Sequence, residues 1–224
     1  AGDAQPGGIA ALRRRPGHGG IEVGMHLGIG GLGHHLGNQA RDVGAGAGVM
    51  MRGGVLQNCL VAGNRATYTA DGNGNGAGVY QTGGDVLNCT IADNECASSR
   101  TGAGMYRTGG TVMNTIVFGN RQGSGDQNIT GTNAITYSCS PDLAAGVNNN
   151  ITDNPVFTDV PADDFHLVGT SLAIDRGQNV WSEGDRDLDG QPRVVDGNGD
   201  TTPAVDLGCY ETPPVTEQPL SCSF

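Results

Sequence analysis

The sequence predicts an all-β fold, a right-handed single-stranded parallel β-helix with an irregular C-terminal cap. Three observations predict it: three twenty-residue blocks align without gaps, identical residue types recur at matching positions, and short β-branched runs are bounded by Gly and Asn. One coil of such a solenoid cannot bury its apolar face alone, and the next coil covers it. We therefore expect a stack of about five recognisable coils.

The three blocks span residues 46–65, 76–95 and 102–121. Apolar residues occupy three matching positions in each block, which is typical of inward-facing side chains on stacked strands. These apolar columns are Val49, Val79 and Met105; Leu56, Val86 and Val112; and Val61, Ile91 and Val117. A fourth column consists of Asn58, Asn88 and Asn114. We predict a structural ladder there, because Asn side chains stacked in register hydrogen-bond to one another.

Cys59 and Cys89 also share a column. Parallel stacking brings their Cα atoms within the range of a disulfide, but their Cβ vectors then run side by side, which strains the bridge. We expect stacked free thiols that pack as small hydrophobic groups.

Composition divides the chain into four segments. Residues 1–42 form a Gly- and His-rich leader, which we expect to be poorly ordered or non-native. Residues 43–160 carry the coils, residues 161–212 form the acidic cap, and residues 213–224 form a tail. A solenoid ends in an unpaired strand edge. We expect the cap to cover that edge on the last coil.

Charge and hydropathy exclude two classes of partner. The formal net charge is −11, and such an acidic surface repels phosphate backbones, so nucleic acid is not an expected partner. No apolar run approaches the ~18 residues of a membrane-spanning helix, so we predict no transmembrane segment. The first residue is Ala, and no signal peptide is recognisable in this chain.

The chain resembles the bacterial choice-of-anchor Q domain proteins, which are parallel β-helix repeat proteins. The resemblance covers about residues 43–212 and rests on the repeats and on an ordered series of C-terminal motifs. These motifs are Asn150 to Phe157, Asp164 to Leu167, Ser171 to Gly177, Asp187 to Arg193 and Val205 to Glu211. More weakly, the blocks are similar to polymorphic outer-membrane protein repeats. The resemblance implies a β-helix on a bacterial surface or outside the cell, and assigns no chemistry.

The C-terminal cap contains a candidate cation loop and a candidate ion pair. Asp185, Asp187, Asp189 and Asp196 are spaced as in a calcium loop, D-x-D-x-D-G with an acid at position twelve. They are the candidate ligands of a structural Ca²⁺ ion, and the other interpretation is an Asp- and Gly-rich cap loop held by Arg186 and Arg193. Arg193 is expected to pair with Asp206 or Glu211 and to pin the cap.

Three functions agree with these features. The first is a secreted or surface-exposed binding or adhesion scaffold for a polysaccharide or cell-surface glycan, with Tyr80, Tyr106 and Arg107 as candidate ligand-binding residues. Inward packing of the two tyrosines is the alternative for their column. The second is a lyase-like enzyme acting on acidic glycans, although the chain has no Lys and shows no paired carboxylates on neighbouring coils. The third is a structural spacer within a longer surface protein. We assign no catalytic residue.

Overall fold

The computed structural model describes residues 48–66, 75–180 and 186–215, together with the backbone of three short strands upstream. Over these residues the protein is all-β, and its helical content is limited to two 3₁₀ turns, Val147–Asn149 and Val160–Ala162. The strands are β1 Ile21–Val23, β2 Gly28–Ile29, β3 Gly33–Leu36, β4 Val49–Gln57, β5 Cys59–Ala62, β6 Arg65–Ala66, β7 Val79–Leu87, β8 Thr90–Ala92, β9 Glu95–Cys96, β10 Met105–Arg107, β11 Thr111–Met113, β12 Ile116–Phe118, β13 Arg121–Gln122, β14 Gly125–Asp126, β15 Ile129–Thr130, β16 Ile135–Thr136, β17 Phe157–Asp159 and β18 Asp164–Leu167.

The strands stack in parallel into a β-helix of roughly three turns, which confirms the predicted fold. Each full coil contributes to three sheets. Sheet A runs through β1, β4, β7, β10 and β15, with β2, β11 and β16 attached; sheet B is β3, β5, β8 and β12; and sheet C is β6, β9, β13 and β14. Partial coils on both sides of the three full ones account for the larger number expected from the sequence.

The predicted apolar columns are the interior of the solenoid. Val79 pairs with Val49 on one side and Met105 on the other, and the other two columns are in register in the same way. Their members are at most 1 % exposed, so neighbouring coils share one apolar core. The Gly-Gly pairs bend each coil. Gly84 has a φ of 81°, and a Cβ there would lie 2.4 Å from the backbone oxygen of Gly54 on the coil below.

Two Asn columns stabilise the corners. Asn64, Asn94, Asn120 and Asn128 form a fully buried ladder, in which the backbone and side-chain N–H groups of each donate to Oδ1 of the next over 2.8–3.1 Å. Asn58, Asn88 and Asn114 all have a φ of 51°, the left-handed conformation that Asn tolerates at a turn. The Asn114 side chain donates to Asn88 Oδ1 over 3.0 Å, as predicted for this column.

The C-terminal segment, residues 157–180 and 186–215, lies along the side of the β-helix and not over its end. This position corrects the sequence-based expectation. Leu60, Ala62 and Ala92 on the outer face of sheet B pack against Phe165, Leu188, Cys209 and Tyr210 of that segment. The Cys209 backbone N–H donates to Thr90 Oγ1 over 3.1 Å, and that of Gly208 donates to the Asn114 carbonyl over 2.9 Å. Sheet B carries apolar side chains on both faces, and the segment covers the outer one because an apolar sheet face is stabilised when it is removed from water.

The end of the stack is formed by an incomplete coil before this segment. Strands β15 and β16 pair with β10 and β11, and Cys139 bridges Ile116 and Ile151 in parallel. The Asp142 carboxylate accepts the backbone N–H groups of Asn128 and Ile129 at 2.8 and 2.7 Å, which terminates the Asn ladder.

Strand pairing also reaches upstream of residue 43, where the sequence analysis placed the first coil. Strands β1 and β2 pair in parallel with β4, and β3 pairs with β5. The rest of residues 1–42 lies outside the described residues, as does nearly all of the tail, so the expectations for them stay predictions. No helix in the described part of the chain is long and apolar enough to cross a membrane.

Candidate functional site

The outer face of sheet A carries two stacked tyrosines. Burial alternates along β4, where Val49 and Met51 point inward and Met50 is partly exposed. The same alternation in β7 and β10 places Tyr80 and Tyr106 on the outside. The parallel register aligns the two rings, with centroids 5.2 Å apart and planes at 18°.

This stack belongs to a longer column that crosses four coils, Met50, Tyr80, Tyr106 and Thr130. Both tyrosines are partly exposed. Since each ring covers one face of its neighbour, a ligand meets the ring edges and the outer faces of the pair. Exposed Arg52, Thr82 and Thr111 lie on the same sheet, and Thr108 directly follows β10. Thr111 donates to Asp85 Oδ1 over 2.6 Å.

Arg107 does not belong to this outer face, which corrects its assignment as a ligand-binding residue. It is 6 % exposed and points inward in the column of Met51 and Gln81. Its Nε donates to Gln81 Oε1 over 2.8 Å, and its Nη atoms donate to the backbone oxygens of Gly110, Gly131 and Asn133. Burial lowers the pKa of Arg107. The guanidinium therefore fastens the bend of the third coil to the partial coil beyond it.

Two further arginines on the coils are held in ion pairs. Arg65 pairs with Glu95 on the next coil, and Arg121 contacts Asp93 Oδ1 at 3.4 Å. On sheet C the register aligns charges of alternating sign, Arg65, Glu95, Arg121 and Asp126. These side chains compensate one another's charge between coils.

The carboxylates of the candidate cation loop have separate partners. Asp187 is buried, and its oxygens accept the backbone N–H groups of Asp189, Gln191 and Glu211 over 2.6–3.0 Å. Asp196 accepts the N–H groups of Gly199, Asp200 and Thr201 over 2.7–3.1 Å. Within residues 48–66, 75–180 and 186–215, no group of three His, Cys, Asp or Glu side chains is arranged so that it could hold a metal ion. Asp185 lies outside the described residues, so calcium binding by the full set stays a prediction.

His166 joins this loop to the hairpin formed by β17 and β18. Its Nδ1 lies 2.6 Å from Asp164 Oδ1, its Nε2 lies 2.8 Å from Asp189 Oδ2, and its ring stacks on Tyr210 at 3.9 Å. Burial alone would lower the pKa of His166, but the two carboxylates outweigh burial and raise it. The alternation Asp164-Phe-His166 indicates that Asp164 and His166 lie on one face of a strand. Nothing in the sequence indicates that Asp189 is the second carboxylate in contact with His166.

Arg193 and Glu211 lie against each other, buried inside the C-terminal segment. Arg193 Nε lies 3.2 Å from Glu211 Oε1, and Nη2 donates to the carbonyls of Asp206 and Gly208. Both predicted partners therefore contact Arg193, Glu211 through its carboxylate and Asp206 through its backbone. The Asp206 carboxylate instead accepts the N–H groups of Asp175 and Thr212 over 2.8 and 2.7 Å.

Burial dominates the ionisation of this cluster. It raises the pKa of Asp206 to about 6 in spite of the backbone N–H groups that the carboxylate accepts. It raises the pKa of Glu211 to about 9, although Arg193 opposes the shift. The cluster is enclosed and packed, which identifies it as a structural element of the cap, as the sequence analysis assigned it.

The cysteines of the described residues are free thiols, in agreement with the expectation for Cys59 and Cys89. Sγ of Cys59 and Cys89 each donates to the carbonyl two residues before it over 3.1 Å, and Thr115 and Ser138 repeat this bond farther along the column. Burial raises the pKa of Cys209 to about 12, so it stays a protonated, unreactive thiol. Cys222 lies outside the described residues.

Comparisons of the chain with protein-family models, curated proteins and solved structures give no match. The site must therefore be interpreted from its own geometry.

Proposed function

We propose that the protein is a binding module, with the outer face of sheet A as its binding surface and an extended polysaccharide as its ligand. The proposal places it outside a bacterial cell or on the cell surface. The observation that carries it is the partly exposed stack of Tyr80 and Tyr106 within a column that crosses four coils.

The geometry of the face supports an extended ligand. Strands of neighbouring coils lie about 4.8 Å apart, so a row of equivalent side chains repeats along the solenoid axis at this spacing. Tyrosine supplies a large apolar ring and a polar hydroxyl group, which suits a ligand with alternating C–H and O–H surfaces. The C-terminal segment packs on sheet B, on the other side of the corner formed by the Asn58 column.

A polysaccharide screen tests the proposal. Immobilised neutral and acidic polysaccharides are incubated with the protein, with Ca²⁺ or with chelator, and retention is measured together with the ultraviolet absorbance of unsaturated sugar products. We expect retention without product. Product formation would support the lyase alternative, and the absence of both signals would support the structural spacer.

Matched variants locate the binding surface. We expect Tyr80→Ala and Tyr106→Ala each to weaken retention about tenfold, since truncation of an aromatic contact residue commonly costs more than 1 kcal/mol. Thr170→Ala, at an exposed position outside sheet A, is the control and should retain binding. Equal retention by all three variants would place the ligand elsewhere.

A further inference from the structure

A cavity of about 280 Å³ lies between sheet B and the C-terminal segment. It opens beside the turns that follow β8 and β12, and the hairpin of β17 and β18 forms its opposite wall. Its volume is below that of most pockets for drug-sized ligands, which indicates a ligand of few atoms.

Three phenylalanines line the cavity, Phe118 from sheet B and Phe157 and Phe165 from the hairpin. The rings of Phe157 and Phe165 pack edge to face, 5.3 Å apart at 79°. Phe165 is only 2 % exposed and lies behind the cavity wall, whereas Phe118 and Phe157 are partly exposed. These three are among the four phenylalanines of the chain. Aromatic rings arranged around a small cavity are how proteins surround an ammonium group, because a cation is attracted to the ring face.

Asp93 adds a negative charge to this lining at an unusual backbone position. Its φ is 49°, and the equivalent positions of the neighbouring coils are Gly63 and Gly119, with φ of 64° and 68°. Glycine adopts this left-handed conformation without strain, whereas a residue with a Cβ adopts it at a cost. The middle coil thus carries a carboxylate at a turn position whose backbone conformation favours glycine. Arg121 contacts this carboxylate at 3.4 Å, which is a weak constraint for an exposed pair.

We propose that this cavity binds a small organic cation with a methylated ammonium group, held by the rings of Phe118 and Phe157 and by the carboxylate of Asp93. The net charge of −11 favours the approach of a cation over that of an anion. The cavity lies beside sheet B and is separate from the tyrosine column on sheet A, so this inference does not depend on the proposed polysaccharide function.

Calorimetric titration with choline tests the inference. The comparison ligand is its neutral carbon isostere, in which a tert-butyl group replaces the trimethylammonium group at nearly the same size. We expect choline to bind at least tenfold more tightly, which lies within the range reported for cations among aromatic rings. Equal affinity would show an apolar cavity without cation selectivity, and the absence of choline binding would likewise overturn the proposal.

Two variants test the residues. Asp93→Asn keeps the turn, since Asn tolerates the left-handed conformation, and removes the charge. Phe118→Leu keeps an apolar side chain in a partly buried position and removes the ring. We expect each to weaken choline binding several-fold while leaving the affinity for the isostere unchanged. Val147→Ala, an exposed position on the end of the solenoid, is the control, and unchanged choline binding by both cavity variants would contradict the assignment.

Discussion

At the residue scale, the buried Asn ladder explains how polar groups are tolerated inside the β-helix. Asn94 donates its backbone and side-chain N–H groups to Asn120 Oδ1, and its own Oδ1 accepts the same pair of bonds from Asn64. Its Nδ2 also donates to the Val61 carbonyl over 3.0 Å. A buried polar group that is fully hydrogen-bonded costs little, whereas the same group left unpaired is expensive.

Asn94→Ala is therefore expected to lower the free energy of unfolding by about 3 kcal/mol, because it leaves buried N–H groups of Asn64 without an acceptor. Urea unfolding monitored by circular dichroism measures the change. Asn133→Ala, at an exposed position, is the control and should change stability by less than about 0.5 kcal/mol. A small effect of Asn94→Ala would mean that water molecules replace the hydrogen bonds that Asn94 makes in the ladder.

Arg107 and Gln81 form a buried pair in a column whose first member is Met51. Arg107→Met removes the guanidinium and leaves Gln81 Oε1 and backbone carbonyls without a donor, so we expect a loss of about 3 kcal/mol in the free energy of unfolding. Adding Gln81→Met removes one of the polar groups that Arg107→Met leaves without a partner. The double variant should therefore lose less free energy of unfolding than the sum of the two single changes.

A double-mutant cycle by urea unfolding measures this coupling. Additive losses would contradict a specific interaction between the two side chains. Polysaccharide retention by the folded Arg107→Met variant should equal that of the wild type, since the guanidinium lies inside the coil.

At the element scale, His166 fastens the β17–β18 hairpin to the loop that contains Asp189. The groups facing its ring are Asp164, Asp189 and Tyr210. A histidine whose pKa is raised in the folded state contributes stability below its unfolded pKa of 6.5, and that contribution is lost as the pH rises through the folded value.

We expect protection of the hairpin amides against hydrogen exchange to fall as the pH rises above 6.5, after correction for the intrinsic exchange rate. His166→Phe keeps the ring stacked on Tyr210 and removes the titration, so its hairpin protection should depend less on pH than that of the wild type. The Asn ladder amides report the stability of the whole molecule, and the change in hairpin protection is measured relative to theirs. An equal pH dependence in wild type and variant would exclude His166 as its origin.

At the scale of the whole molecule, two buried carboxylates contribute more stability at acid than at alkaline pH. The pKa of Asp206 is raised to about 6 and that of Glu211 to about 9 by burial. Groups with a raised pKa bind protons more tightly in the folded state, so the stability that these two groups contribute is greatest below their unfolded values of 3.8 and 4.5 and is lost as the pH rises toward 9.

Melting temperatures between pH 5 and pH 9 measure this dependence. We expect a steady decrease in the wild type and a flatter profile for Glu211→Gln, which keeps the shape and removes the titrating group. Glu95→Gln, a partly exposed carboxylate on sheet C, is the control and should keep the wild-type slope. A wild-type profile that rises with pH would contradict burial as the dominant influence on Glu211.

The sequence alone determined the repeat, and the repeat determined the fold. Each apolar column follows from residues at equal positions in successive blocks, and parallel stacking needs no further information to bring Val49, Val79 and Met105 together. Residues of a strand alternate between the inside and the outside of the coil, but the sequence did not show which set Tyr80 and Tyr106 belong to. The burial pattern of the structure places them outside. Arg107 was misassigned because a charged residue in a repeat resembles a surface residue until its carbonyl partners are visible.

Only the tertiary structure decided what lies beside the coils. The C-terminal segment contacts sheet B through residues more than 100 positions away, such as Cys209 and Thr90, and no periodicity relates them. The contacts of His166 with Asp189, the lateral position of the cap and the cavity beside Asp93 all depend on that packing. Periodic patterns specify neighbours at a fixed separation, whereas these contacts depend on which apolar faces remain exposed once the solenoid has formed.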